Sequence, residues 1–344
     1  GGGGVIDWGL AERIASGIAG TPSGGTALAG DLDAVAAEAR ERVVAYTGLQ
    51  PAREIPPPEA VDRREWVRLN QRSMRAMMEP LEAKLSGGGP LRAAGGMLVG
   101  AEIGGLTGYL AQRVLGQYEL VLLDPASAER LLFVAPNLRE AARRLDVGEA
   151  DLVAWVAIHE VTHAVQFTGV PWLREHLAAQ LRALLETVDV TFDVTKMPTL
   201  DDLRDAVDRF REGGLVTMVA GPERMAILDR MQATMAVVEG HAEHVMDAVG
   251  EELLPTLPEL RTALDRRRRE KPPAVKLLER LIGLELKMRQ YELGREFCDA
   301  VVERGGIAAL NRVWTSPEAL PTLLELEDPA GWIRRTEPAS LPRA

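Results

Sequence analysis

Trp155-Val-Ala-Ile-His159-Glu160-Val-Thr-His163-Ala-Val-Gln-Phe167 is the stretch from which the rest of the chain can be read. On a helix, His159 and His163 share one face, one turn apart. Two imidazoles so placed can bind one metal ion from the same side. Glu160 lies about 100° round the helix from His159. In a pattern of this kind it takes a proton from the attacking water rather than ligating. Short H-E-x-x-H patterns also arise by chance in helical proteins, so context has to decide. The chain has five histidines, and four of them fall in two clusters, His159/His163 and His241/His244. Ile158, Val161, Thr162 and Val165 flank the first cluster and predict that it is buried. Buried imidazole and carboxylate without partners are costly, and a metal removes that cost. Zinc suits the chemistry: it polarises a carbonyl and makes bound water acidic near neutrality.

Two histidines leave such a site incomplete, since a catalytic zinc takes three protein ligands and keeps one open position. The metzincin continuation is absent, because Gln166 stands where that motif requires glycine. Downstream carboxylates are therefore the candidates: Glu175, Glu186, Glu239 and Glu243. Glu239 is favoured, in Met235-Ala-Val-Val-Glu239-Gly240-His241-Ala242-Glu243-His244. This helix is apolar towards the core, so a carboxylate there needs a partner. Gly240 leaves room for close approach of another helix or a substrate. Glu239 and Glu243 share a face, so one can ligate while the other holds an imidazole N–H. Glu239-Gly-His-Ala242 also resembles the gluzincin aminopeptidase segment whose glutamate completes the zinc site. His241 is a candidate for stabilising the oxyanion of a tetrahedral intermediate, with His244 and Tyr291 as alternatives. Each of these has a plainer reading as a packed core residue.

Composition sets outer bounds. The 344 residues suffice for one large or two ordinary domains, and 46% hydrophobic with 26% charged is a globular balance. A formal net charge of −11 argues against a nucleic-acid partner. The basic run Arg266–Arg269 reads as a solvated helix face. One cysteine, Cys298, precludes an intrachain disulfide and is expected to pack rather than react. No secretory signal is visible, and the longest apolar stretch, Met97 to Leu110, is too short to span a bilayer. The expectation is a soluble, cytoplasmic protein with no membrane partner.

Along the chain, helices are predicted over Val5–Ile18, Asp31–Thr47, Val61–Leu85 with a kink or break at Pro80, and Leu91–Leu115. Gly20 to Gly30 reads as a linker and Pro51 to Pro58 as an extended connector. The glycines of Leu91–Leu115 predict close helix packing, not a nucleotide loop. Tyr118–Leu123 and Arg130–Val134 read as strands. A short helix over Asn137–Arg144 follows. The metal helix then begins at a capping box of Asp146 and Glu149 and ends at Gly169. Further helices are predicted from Pro171 to Val188, Thr199 to Phe210, Met225 to Val249, Leu254 to Arg269 and Ala274 to Gly305. A tail of short helices closes the chain. The fold class is mainly α with one small sheet. A division into residues 1–115 and 116–344 is expected, with one continuous domain as the alternative.

Several segments carry a family resemblance that extends over nearly the whole chain. They are Val5-Ile-Asp-Trp8, Arg64-Glu-Trp66-Val-Arg-Leu-Asn70, Gly104-Gly-Leu-Thr-Gly108-Tyr109 and Val114-Leu-Gly-Gln-Tyr118. Phe133-Val-Ala-Pro-Asn137, the His159–Phe167 motif, Pro171-Trp-Leu-Arg174, Glu239-Gly-His-Ala242 and Gln290-Tyr291-Glu-Leu-Gly294 complete the set. Together they resemble an actinobacterial family of zincin-like hydrolases associated with deazaflavin-coenzyme biosynthesis. The resemblance implies a mainly helical zincin-like metal hydrolase and carries the metal positions onto His159, His163 and Glu239. It supplies no substrate.

The expectation is a zinc hydrolase, foremost a metallopeptidase. Glu160 activates water for attack on an amide carbonyl and then protonates the leaving amine. Zinc, with His241 or Tyr291, stabilises the oxyanion. An amidase acting on a small metabolite is the first alternative. A non-catalytic binding protein with a structural metal, closed by a fourth ligand such as His241 or His244, is the second. The substrate would be a peptide or a small amide.

Overall fold

A computed structural model describes residues 6–20, 25–84, 90–187, 222–256, 258–263 and 284–337. The chain is mainly helical with one three-stranded sheet. Helices α1 (Trp8–Ala19) and α2 (Leu32–Thr47) precede strand β1 (Pro58–Val61). Helices α3 (Arg63–Lys84) and α4 (Pro90–Ala111) lead to β2 (Gly116–Glu119) and β3 (Arg130–Val134). Then come α5 (Ala135–Leu145), α6 (Glu149–Gly169), α7 (Leu173–Thr187), α8 (Pro222–Leu253) and α9 (Leu284–Leu310). Two 3₁₀ turns and the short helices α10 (Leu323–Glu327) and α11 (Pro329–Thr336) follow.

The middle strand, β3, organises the sheet. β1 runs parallel to it, with Val61 opposite Val134. β2 runs antiparallel, with Tyr118 opposite Leu131. Side chains alternate across a strand, so β3 feeds two cores. Leu131 and Phe133 enter the core around α6. Leu132 and Val134 enter a second core with Trp66, Val67 and Ala15 from α3 and α1. Being covered on both faces explains why this strand reads as an unbroken apolar run.

Helix α6 is enclosed in the same way. It packs against α2, α5, α7, α8 and both β2 and β3. Its buried residues run round the helix, from Leu152 and Val153 through Ile158 and Val161 to Val165. A helix apolar on all sides belongs in an interior. Each such aliphatic side chain contributes about 1.5–3 kcal/mol on burial. A third core joins α7, α8 and α9 to the tail through Leu173, Val237, Phe297, Trp314 and Trp332. Cys298 is buried within it. Burial pushes its thiol pKa up, so it stays protonated and packs.

Glycine sets two close crossings. A Cβ on Gly100 or Gly104 of α4 would meet the backbone oxygen of Asp7 at 2.5 Å or of Ala11 at 2.6 Å. This is the tight packing that the glycine pattern of α4 predicts. Between α8 and α9, a Cβ on Gly240 would overlap the Gly294 backbone, and one on Gly294 would overlap the Ala236 backbone.

Several expectations need correction. β1 falls at the end of the stretch read as a connector, because its strand character comes from pairing with β3. β2 begins at Gly116 and ends at Glu119, earlier than expected. α3 runs through Pro80 without a break. The capping box before α6 is absent: Gly148 is the N-cap and no side chain caps the helix. Asp146 instead ends α5 in the left-handed region at φ 56°, and Glu149 accepts from the Ala29 N–H at 2.8 Å. The expected helix Thr199–Phe210 and the basic run Arg266–Arg269 lie outside the described residues. No described helix is long and apolar enough to cross a membrane. The β1–β3 pairing and the packing of α2 on α6 join residues on either side of position 115.

Candidate metal centre

His159 and His163 lie one turn apart on α6, and Glu239 reaches them from α8. The two Nε2 atoms are 3.2 Å apart. Glu239 Oε2 lies 3.7 Å from His159 Nε2 and 3.5 Å from His163 Nε2. Donor atoms bonded to one tetrahedral cation at about 2.0–2.2 Å are separated by about 3.3–3.6 Å. The three donors therefore fit a small divalent ion without rearrangement. Their chemistry, two imidazoles and a carboxylate, is a zinc-type set. Among the described residues this is the one cluster of three such donors.

The electrostatics agree. Burial alone would lower the pKa of His163, but the Glu239 carboxylate outweighs it and raises the imidazole to about 9. Burial would raise Glu239, and the two histidines outweigh it, holding the carboxylate at about 2. Both shifts mean that the space between the donors favours positive charge, whether a proton or a metal supplies it.

Glu160 is not in the cluster. It is 8% exposed, and its Oε2 accepts from the backbone N–H of Tyr118 on β2 at 2.7 Å. Its charge is close enough to raise the His163 pKa. Gly116, two residues before Tyr118, makes that approach possible. A Cβ there would lie 2.8 Å from Glu160 Cγ and 2.6 Å from Val156 Cγ1. The Tyr118 side chain points elsewhere: its hydroxyl donates to Glu129 at 2.6 Å, and its ring stacks on Phe167. Burial and the Glu129 hydrogen bond raise the pKa of that hydroxyl.

The other expected residues are distributed around this centre. Glu243 pairs with Arg295 at 3.5 Å and does not join the donors. Glu175 pairs with Arg182 on the surface. His241 is fully buried. Its Nδ1 lies 2.9 Å from Gln166 Nε2, and its ring meets Trp314 edge-on. Burial, then the charges of His244 and His163, lower its pKa to about 3, so it is neutral. His244 bridges Tyr46, at 2.7 Å from Nε2, and Asp299, at 2.6 Å from Nδ1. His176 contacts Gln180 and Trp172. The backbone of Tyr291 belongs to α9, but its side chain lies outside what the structure describes.

Sequence reasoning missed Gly116, Tyr118 and Gln166. Gln166 had a usable signal: it lies three residues after His163, on the same helical face.

The family model for zincin-like metallopeptidases matches residues 6–333. The chain belongs to the zincin-like metallopeptidase family. A crystal structure from Chloroflexus aurantiacus, described as that of a "putative hydrolase with a novel fold", is similar to this family member over 96% of this chain and 98% of the other. Its TM-score is 0.72 and its sequence identity 32%. No curated protein matches this zincin-like chain. Family and neighbour together support a metal hydrolase.

Proposed function

We propose that the chain is a zinc-dependent hydrolase that cleaves an amide bond, with a peptide as its substrate. The observation that carries this reading is the convergence of His159, His163 and Glu239, with Glu160 held beside them by Tyr118. When bound, zinc supplies Lewis acidity for the carbonyl and lowers the pKa of water. His159, His163 and Glu239 would hold it. Glu160 accepts a proton from the attacking water and returns it to the nitrogen of the leaving amine. The Tyr118 N–H orients Glu160 by occupying one carboxylate oxygen, which leaves the other for that proton.

A peptide is favoured over a small metabolite by the edge strand. β2 lies at the edge of the sheet and beside Glu160. An edge strand offers backbone groups to an extended chain. A closed structural metal site is disfavoured because neither candidate fourth ligand joins the cluster of His159, His163 and Glu239. His241 faces Gln166, and His244 bridges Tyr46 and Asp299. His241 supports the centre from behind in this reading; Tyr291 keeps its expected role as an oxyanion donor. The actinobacterial and deazaflavin association, and a cytoplasmic location, rest on sequence resemblance and composition alone.

The test is a peptide library presented to zinc-loaded protein, with Glu160→Gln as control. Cleavage by the parent and none by the variant is the expected result. Equal cleavage by both would remove Glu160 from the mechanism.

A further inference from the structure

We propose that Gln166 is a positioning residue that fixes the proton of His163 on Nδ1, and so presents Nε2 as a lone pair to the metal. The proposal rests on the zinc reading above, but its chain of evidence lies in hydrogen-bond directions.

Gln166 is fully buried. Its Nε2 lies 2.9 Å from the carbonyl oxygen of Val238 and 2.9 Å from His241 Nδ1. Its Oε1 lies 2.9 Å from His163 Nδ1. A carbonyl oxygen can only accept, so the Gln166 nitrogen must face Val238. That choice settles the orientation of the amide. The second hydrogen of the same nitrogen then points at His241, whose Nδ1 must accept. The remaining amide oxygen can only accept, so His163 must donate from Nδ1. A neutral imidazole with its proton on Nδ1 carries its lone pair on Nε2. That is the atom 3.5 Å from Glu239 Oε2.

The same side chain spans the two helices that carry the donors. His163 belongs to α6, whereas Val238 immediately precedes Glu239 on α8. One amide therefore sets the tautomer of one ligand and anchors the backbone next to another. His241 completes the network by accepting the second amide hydrogen at Nδ1.

The test has two readouts on the full chain, each with wild type, Gln166→Leu, Gln166→Met and Gln166→Glu. The first is imidazole tautomer by long-range ¹H–¹⁵N correlation in zinc-free protein, at a pH above the raised His163 value so that the ring is neutral. The wild type is expected to show His163 protonated on Nδ1 and His241 protonated on Nε2. In Gln166→Glu the carboxylate still accepts from His163, which keeps its tautomer, while His241 moves its proton to Nδ1. In Gln166→Leu and Gln166→Met the His163 proton is no longer confined to Nδ1. The second readout is zinc affinity by chelator competition, expected to fall about 10–100-fold in the leucine and methionine variants. The methionine variant conserves length and volume, so it serves if the leucine variant does not fold.

Wild-type tautomers and wild-type affinity in both apolar variants would overturn the proposal. Tautomers that respond as described in a wild type that binds no zinc would keep the relay and remove the zinc reading. Zinc binding with unresponsive tautomers would do the reverse.

Discussion

The backbone N–H of Tyr118 donates to Glu160 Oε2 at 2.7 Å, across 42 residues of sequence. It links the edge strand of the sheet to the helix that carries both histidines. The bond has a steric condition, because β2 approaches α6 closely only where Gly116 has no side chain.

Gly116→Ala therefore tests the link. The new methyl meets Glu160 Cγ at 2.8 Å and Val156 Cγ1 at 2.6 Å, so strand and helix must separate. Overpacking of this kind costs about 1–3 kcal/mol. The expected result is a lower Tm and reduced hydrolysis, with zinc affinity close to the parent value, because none of the three donors is touched. Thermal melts and zinc titration check it.

Glu160→Gln keeps the shape of the side chain and removes its basicity. Zinc content should match the parent by elemental analysis. The rate should fall about 10²–10⁴-fold, the usual contribution of a general acid–base group.

The third donor can be assigned by contrast. Glu239→Ala should weaken zinc binding severely, since it removes the carboxylate 3.5–3.7 Å from both imidazoles. Glu243→Ala should leave zinc affinity unchanged, since that carboxylate faces Arg295. Competition with a chromophoric chelator measures both, and the opposite ranking would move the site.

Gly240→Ala and Gly294→Ala attack the α8–α9 crossing, where the obstacle is backbone and cannot rotate away. Each should destabilise by about 1–3 kcal/mol or more. Gly240→Ala should also weaken zinc binding, because residue 240 adjoins Glu239. Denaturant unfolding of the two variants, with zinc titration, checks this.

Asp299, which pairs with His244 rather than with the three donors, supplies a pH signature. Partial burial pushes its carboxyl pKa up, but the hydrogen bond and charge of His244, with the charge of Arg295, outweigh it and leave the pKa lowered. A lowered carboxylate pKa stabilises the fold above the unfolded-state value and loses that contribution as pH falls through the folded value. Asp299→Asn should therefore flatten the acid side of the stability–pH curve and leave the neutral side parallel to the parent. Melts between about pH 2 and 7 measure it.

How much of this could be read from the sequence follows from how far each signal reaches. The His159/His163 pair is local, set by one helical turn, and Glu239 stood out as a carboxylate on an apolar helix face. Gly240 was legible as a site of close approach, and α9 supplies that approach through Gly294. β1 was not legible, since a four-residue strand beside prolines acquires its identity from β3. Asp146 carried the signature of a helix start and serves as a helix end, because α5 and α6 compete for the same few residues. The contact of Gln166 with His163 lay within reach of helical spacing, but its contacts with Val238 and His241, 72 and 75 residues away, did not.

The parallel ladder between β1 and β3 bears on any attempt to shorten the chain. Deleting everything before Gly116 would strip β3 of one neighbour and leave Leu131 to Val134 with an open row of amides and carbonyls. Such bared margins recruit strands from other molecules. A trimmed fragment holding both histidines and Glu239 should therefore clump on expression, even though every residue that touches the ion is still present.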